Sequence, residues 1–122
     1  MLTAGDKSDV KTTVYAGRAR YPELLKSGVR VYEYVPTMMH AKTFVVDGVW
    51  STVGSLNFDN RSLVFNNESN IVALDEQVGA TLDSLFLEDL RHSKEIKLAE
   101  FEQRSLVEKM LEWGANTLQR LL

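Results

Sequence analysis

Two β-rich segments on either side of an Asp-Gly dipeptide constrain the fold of this chain more than any other feature. The segments are Thr43–Val46 and Val49–Val53, and Asp47-Gly48 lies between them. Asp-Gly between two such runs is the strongest short-range signal for a β-hairpin, because both residues tolerate the positive φ angles of a tight turn. The sequence therefore predicts an antiparallel hairpin near the middle of the chain.

The register of this hairpin decides which polar side chains share a face. A loop made only of the Asp-Gly pair places His40 opposite Ser55 and Lys42 opposite Val53. Because side chains alternate between the two faces of a strand, His40 and Lys42 would then lie together with the Ser55 hydroxyl. One extra residue in the turn would shift this pairing by one position.

Helix and strand signals alternate along the rest of the chain. The predicted elements are a helix at Tyr21–Lys26, a strand at Val29–Val35, a short helix or loop at Asn57–Asn66, a strand at Asn70–Leu74 and helices over about 76–122. Gly28 should end the helix at Tyr21–Lys26. Asp75 should cap the first of the C-terminal helices. Strands mixed with covering helices predict one α/β domain over residues 1–122.

Two apolar stripes at helical spacing define the C-terminal helices. The first stripe consists of Val78, Leu82, Leu85, Phe86 and Leu90. The second consists of Val107, Met110, Leu111, Leu118, Leu121 and Leu122. The polar face of the second helix carries both acidic and basic residues, so core packing or docking onto another half of the protein is favoured over a membrane-bound helix.

Composition and charge exclude several classes of protein. The 122 residues carry a formal net charge of -3, with a pI near 5.4, and include no cysteine. Without cysteine there is neither a disulfide framework nor a thiolate metal site. An acidic chain lacks the basic field that binding to nucleic acid through phosphates requires, so no nucleic acid partner is expected. No apolar run approaches the ~20 residues that span a bilayer.

Six residues in and beside the predicted hairpin follow the pattern H-x-K-x4-D-x6-G-S-x-N within 40–57: His40, Lys42, Asp47, Gly54, Ser55 and Asn57. This pattern resembles the motif of the phospholipase D superfamily. The flanking segments Phe58-Asp59-Asn60-Arg61-Ser62 and Asn67-Glu68-Ser69-Asn70 resemble its bacterial cardiolipin synthase branch in particular. The resemblance extends from about Tyr15 to the C-terminal end.

The resemblance implies a fold and an incomplete catalytic set. It implies an α/β phospholipase D-like fold, with a mixed β-sheet covered by helices, of which this chain is the C-terminal half of the usual two halves. The family reaction uses two such histidines, and His92-Ser93-Lys94 lacks the remaining motif positions, so the chain supplies one. In related enzymes a strand precedes the Gly5–Asp9 loop, and only Met1–Thr3 stands in its place here, so we expect a missing N-terminal half.

The resemblance also assigns roles to individual residues. The catalytic set is His40, Lys42 and Asp47, although a hairpin turn points Asp47 away from the reacting face and predicts a structural role for it. A neutral imidazole can attack phosphorus, and an imidazolium can protonate a leaving alkoxide. The substrate-binding and orienting residues are Ser55, Asn57 and Glu68, with Glu68 holding the second nitrogen of the histidine. No metal or cofactor is implied.

Two activities remain open at this point. The first is phosphatidyl transfer or phosphodiester cleavage on a phosphatidylglycerol-like phospholipid, at the surface of a bacterial cell membrane. The chain would then be peripheral, or anchored by N-terminal sequence that is absent here. The second is an endonuclease of the one-motif kind, active as a homodimer in which a second copy supplies the other histidine. Retention of all six motif positions argues against a non-catalytic remnant.

Overall fold

The computed structural model describes residues 1–57 and 67–121. The predicted short helix or loop at Asn57–Asn66 lies outside the described residues from position 58 onward. The chain divides into two compact units. We call Met1–Met39 with Leu90–Leu122 the terminal unit, and His40–Asp89 the central unit. Each unit is described by itself.

Both units contain helices and strands. The terminal unit contains β1 (Leu2–Ala4), α1 (Lys11–Arg18), α2 (Tyr21–Lys26), β2 (Val31–Tyr34), β6 (Ser93–Ile96), α4 (Leu98–Glu102) and α5 (Leu106–Leu121). The central unit contains β3 (Thr43–Val46), β4 (Trp50–Gly54), β5 (Asn70–Leu74) and most of α3 (Glu76–Arg91). The predicted α/β class is therefore confirmed, although the strands form two three-stranded sheets.

The sheet of the terminal unit is mixed. Its strand order is β1-β2-β6, with β1 parallel and β6 antiparallel to β2. The apolar side chains buried in this unit are Val14, Ala16, Tyr21 and Val31. They come from α1, α2 and β2; α2 packs on β2 and on α4, whereas α1 packs mainly on α5.

A buried ion pair lies beside this core. The Arg18 guanidinium donates to both carboxylate oxygens of Glu33, over 2.7 and 2.6 Å, and the Tyr21 hydroxyl donates to the same carboxylate over 3.1 Å. Glu33 is only 6% exposed, and a bidentate arginine provides the pairing that a buried carboxylate needs. Burial, and secondly the charge of Glu33, raises the pKa of Tyr21 above its ordinary value.

Two predicted helix ends are confirmed. Gly28 follows α2 with a φ of 86°, the left-handed conformation that glycine adopts without a Cβ penalty. The Asp75 carboxylate accepts hydrogen bonds from the backbone N–H groups of Gln77 and Val78, over 2.8 and 2.9 Å, at the start of α3. Both local signals were readable because capping depends on one residue and its immediate neighbours.

The sheet of the central unit is an antiparallel meander in the order β3-β4-β5. The predicted strand Asn70–Leu74 is confirmed as β5. The first turn of α3 packs on the β3–β4 turn, since a Cβ atom on Gly79 would overlap the carbonyl oxygen of Gly48. The backbone N–H of Asp75 also donates to the Val49 carbonyl over 2.9 Å. The turn is therefore tied to the start of the helix.

The prediction that helices alone fill the C-terminal third was wrong in one respect. Between α3 and α5 the chain forms the edge strand β6 and the short helix α4. Lys94 and Glu95 are weak strand formers, so the sequence pattern did not predict β6. Glu95 is held by Arg30 and Lys97, over 3.0 and 2.6 Å, and the hydrogen bonds from these cations lower its pKa to about 2.

The second apolar stripe does not pack as a core face among the described side chains. Val107 and Met110 on α5 are 66% and 73% exposed, whereas Glu112 on the same helix is 3% exposed. Glu112 is buried because it pairs with Arg104, whose guanidinium also lies 3.7 Å from the centre of the Phe101 ring. The helix also packs on α1, and docking of its exposed apolar stripe onto another half of the protein stays a prediction. No helix in the described ranges is both long and apolar enough to cross a bilayer.

Candidate active site

The first two motif residues lie immediately before β3. His40 is exposed and Lys42 is half-buried. The Lys42 carbonyl accepts a hydrogen bond from the backbone N–H of Gly54 over 3.2 Å, which extends the β3–β4 ladder by one pair beyond Thr43 and Val53. Lys42 is therefore fixed to the sheet through its backbone, and His40 lies two residues before it.

The predicted hairpin is confirmed, but its predicted register was wrong by one residue. Asp47 and Gly48 both have positive φ angles, 53° and 66°, and the Val49 N–H donates to the Val46 carbonyl over 3.2 Å. The ladder nevertheless begins at the pair Val46 and Trp50, so Val49 is an extra residue in the turn. Such a residue shifts every pairing by one, as a bulge does.

The corrected register changes which residue lies opposite the lysine. Lys42 lies across from Gly54, where the two-residue loop placed Val53. Gly54 in turn pairs with Asn70 at the start of β5. One row across the sheet therefore contains Lys42, Gly54 and Asn70, and cross-strand neighbours share a face. Asn70 was predicted only as part of the family resemblance, and it is the polar residue that opens an otherwise apolar strand.

Gly54 allows the backbone of the neighbouring segment to approach closely. A Cβ atom at this position would overlap the Asn70 side-chain oxygen and the Ser69 carbonyl oxygen. Only glycine fits between the flanking strands at this level. The middle of the row is thus left without a side chain.

Ser55 bonds to the backbone of the neighbouring strand. Its hydroxyl oxygen accepts a hydrogen bond from the Ser69 N–H over 3.0 Å, and the Ser55 N–H donates to the Ser69 carbonyl over 3.0 Å. With the register shifted by one residue, Ser55 no longer lies opposite His40. The structure therefore joins Ser55 to Ser69 and does not pair it with His40.

The two remaining polar candidates lie at the same end of the central sheet. Asn57 is exposed and lies two residues after Ser55. Glu68 is half-buried and directly precedes Ser69. Because Ser55 and Ser69 are joined by hydrogen bonds, the segments bearing Asn57 and Glu68 are held next to each other.

Asp47 lies at the other end of the sheet. The four residues of β3 lie between it and Lys42, so five residue steps separate the two, a distance of roughly 16 Å at about 3.3 Å per residue. Its φ of 53° belongs to the left-handed region, which aspartate enters more readily than most residues. The turn also contacts α3 through Gly48 and Gly79. This geometry accounts for an aspartate at the position without any contact with substrate.

The end of the sheet that carries His40 and Lys42 combines groups suited to a phosphoryl group. An imidazole can act as a nucleophile or a proton carrier. An ammonium and side-chain amides can hold non-bridging oxygens as negative charge builds on them. In the part of the chain that the structure describes, no three histidine, aspartate or glutamate side chains are grouped so as to hold a metal ion.

Similarity to known proteins agrees with this chemistry. A family model described as "Cardiolipin synthase, PLD-like domain" matches residues 1–90. The cardiolipin synthase of Geobacillus thermodenitrificans is 37% identical over 121 residues, which are 99% of this chain and 24% of that protein. Cardiolipin synthase 2 of Bacillus anthracis is 36% identical over 121 residues, again 99% of this chain and 24% of the relative.

The match covers the chain but only part of each relative. The chain spans about a quarter of the length of these curated relatives. No solved structure matches it. The family model covers both the motif at His40 and the strand that begins at Asn70. This chain therefore belongs to the phospholipase D-like domain family of cardiolipin synthases.

Proposed function

We propose that this chain supplies one catalytic histidine to an enzyme that transfers phosphatidyl groups between phospholipids. The observation that carries the proposal is the gathering of motif residues at one end of the central sheet, where His40 and Lys42 enter β3 beside Gly54. Membership of the cardiolipin synthase family supports a phospholipid as the substrate. The chain acts as one phospholipase D-like domain of 122 residues.

The reaction proceeds in two displacements at phosphorus. In the first, a neutral imidazole nitrogen attacks, a P–N bond forms, and the P–O bond to the leaving alcohol breaks. The imidazolium of a second histidine donates its proton to that alkoxide. In the second, the acceptor alcohol gives its proton to the now neutral second histidine and attacks phosphorus, and the P–N bond breaks. Atoms and charges balance without a metal ion.

The side chains near His40 bind the phosphoryl group and orient the imidazole in this reaction. The Lys42 ammonium stabilises charge on the non-bridging oxygens, and the Asn57 amide and Ser55 hydroxyl donate further hydrogen bonds. Glu68 accepts from the second nitrogen of the His40 ring and fixes its orientation, as a carboxylate does in other histidine-based sites. Asp47 acts through the turn and not on the substrate.

Two histidines are needed, so the active enzyme includes either an N-terminal half with its own motif or a second copy. In a two-motif enzyme His40 is the proton-transfer partner, and in a homodimer each copy takes either role.

The exposed apolar edge of the central sheet supports an additional partner at this unit: Ile71, Val72 and Leu74 on β5 are 77%, 59% and 78% exposed. Contiguous apolar exposure on an edge strand favours association.

The substrate places the reaction at a membrane surface. A phosphatidylglycerol-like lipid presents its phosphate at the interface, and a peripheral enzyme can reach it there. The relatives named above are bacterial, which supports a bacterial cell membrane as the location.

A homodimeric endonuclease is the second candidate, because the chain contains a single motif. The net charge of -3 weighs against it, since a nuclease gains affinity and a steep salt dependence from many phosphate contacts.

The experiment that separates the two functions presents mixed micelles of phosphatidylglycerol, and separately single- and double-stranded DNA, to the chain alone and to the chain joined with a first half. We expect cardiolipin-type product and no comparable DNA cleavage. DNA cleavage by the chain alone, with no lipid product from either preparation, would favour the nuclease.

A further inference from the structure

Hydrogen bonds between two pairs of residues hold the segment that follows β4. Ser55 and Ser69 are joined through the Ser55 N–H and the Ser55 hydroxyl, each over 3.0 Å, and the hydroxyl also lies 3.5 Å from the Ser69 carbonyl oxygen. A further bond runs from the backbone N–H of Leu56 to the side-chain oxygen of Asn70 over 3.2 Å. Leu56 lies beyond the end of β4, and its N–H donates to a side chain instead of a strand carbonyl. Asn70 thus replaces the missing ladder partner.

The sheet places Asn70 where this bond can form. Asn70 pairs with Gly54, and its side-chain oxygen occupies the space that a Cβ atom on Gly54 would fill. A larger residue at position 54 would push this oxygen away from the Leu56 N–H. Gly54 therefore leaves the space that the Asn70 side chain needs to reach Leu56.

The backbone held in this way carries Asn57, the next residue after Leu56. An amide side chain can bind a phosphate oxygen with a useful bond angle only if its own backbone is fixed. From these contacts we propose that Asn70 is a positioning residue, which holds Leu56 and thereby sets the phosphate-binding position of Asn57. This inference rests on the proposed function.

A structural role alone and a positioning role make different predictions. If Asn70 only stabilised the fold, its loss would weaken phosphate binding by the same factor whether or not Asn57 is present. If Asn70 acts through Asn57, its loss has no further effect once the Asn57 amide is gone. A double-mutant cycle measures this difference directly.

The test titrates the chain, joined with a first half, with dihexanoylphosphatidylglycerol below its micelle concentration, and follows binding by NMR. The variants are Asn57→Ala, Asn70→Ala and the double substitution, with Asn116→Ala in α5 as the control. We expect Asn70→Ala to weaken binding by about fivefold to tenfold, as loss of one neutral hydrogen bond does. In the Asn57→Ala background the same substitution should change affinity by less than about twofold. The control should bind as the wild type does.

Amide hydrogen exchange checks the bond itself. Asn70→Ala should accelerate exchange at Leu56, whereas Asn70→Asp, which keeps an acceptor oxygen, should preserve its protection. If Asn70→Ala does not fold, Asn70→Ser replaces it in the cycle, because its shorter side chain cannot span to Leu56. Additive effects in the cycle, or unchanged exchange at Leu56, would overturn the positioning role. Failure of Asn57→Ala to weaken binding, or no binding by the wild type, would instead contradict the proposed function.

Discussion

Gly54 of β4 pairs with Asn70 of β5 so closely that a single added methyl group on the glycine would overlap both the Asn70 side chain and the preceding carbonyl of Ser69. One of the two obstacles is backbone, so a change of rotamer cannot relieve the overlap. The close approach brings the strand that follows Glu68 against the strand that leads to Ser55. A glycine at this motif position is therefore required by packing.

Gly54→Ala should destabilise the chain by about 2 kcal/mol, the usual cost of overpacking a site that cannot yield. Gly17→Ala is the matched control, because no atom lies within 4 Å of a Cβ atom added in that helix. The control should raise stability by about 0.5 to 1 kcal/mol through helix propensity and reduced freedom of the unfolded chain. Urea unfolding of both variants measures the difference. A Gly54→Ala variant as stable as the wild type would refute the packing argument.

Asp47 offers a test of whether a motif residue is structural. Asparagine enters the left-handed region as readily as aspartate does, so Asp47→Asn should change the free energy of unfolding by less than about 0.5 kcal/mol. Asp47→Val places a β-branched residue at a φ of 53° and should cost about 1 to 2 kcal/mol. Turnover of the completed enzyme should persist in Asp47→Asn. Loss of turnover in a folded Asp47→Asn variant would show that the carboxylate itself takes part in the reaction.

The buried tyrosine predicts a dependence of stability on alkaline pH. Burial, followed by the charge of Glu33, raises the pKa of Tyr21 in the folded chain, whereas an unfolded tyrosine ionises near pH ~10. The folded state therefore holds this proton more tightly. The stability it contributes is fully present below about pH 10 and is lost as the pH rises toward the folded pKa.

Tyr21→Phe removes this ionisation while keeping the aromatic contact with Phe101, whose ring centre lies 5.5 Å away. The variant should be less stable near neutral pH, because the hydrogen bond to Glu33 is lost. Its stability should fall less steeply than that of the wild type between about pH 9 and about pH 11. Urea midpoints across that range test the prediction. Parallel pH profiles for the two proteins would count against it.

The sequence predicted the parts of the fold that depend on near neighbours. The Asp47-Gly48 turn, the end of α2 at Gly28 and the cap at Asp75 each follow from one or two residues and their backbone preferences. The candidate site residues were predicted in the same way, since His40 and Lys42 belong to a motif with fixed spacing.

The parts that failed depend on contacts distant in sequence. The hairpin register shifted because Val49 stays in the turn, where its carbonyl accepts the N–H of Asp75, and no local pattern reveals that bond. β6 was missed because Glu95 gains its strand position from pairing with Arg30, which lies far away along the chain. Glu112 occupies a buried helix position only because Arg104 neutralises it. Tertiary pairing overrode local propensity in each case.

Independence from metal ions follows from the proposed chemistry, since Lys42 and the two histidines perform the electrostatic work that a divalent ion does in other phosphoryl-transfer enzymes. Phosphatidyl transfer by the completed enzyme should be unchanged by excess chelator. Turnover is measured with and without chelator, and then after addition of magnesium or calcium. A requirement for either ion, seen as loss and restoration of activity, would contradict the mechanism.

In the proposed reaction His40 acts chemically and does not support the fold. Its imidazole is exposed and lies before β3, so His40→Ala should leave the thermal unfolding midpoint unchanged within about 2 °C. Thermal unfolding and phosphatidyl transfer are measured on the same preparations of the wild type and of His40→Ala, each joined with a first half. We expect an intact fold and complete loss of transfer. Retention of substantial transfer by His40→Ala, or loss of its folded structure, would contradict it.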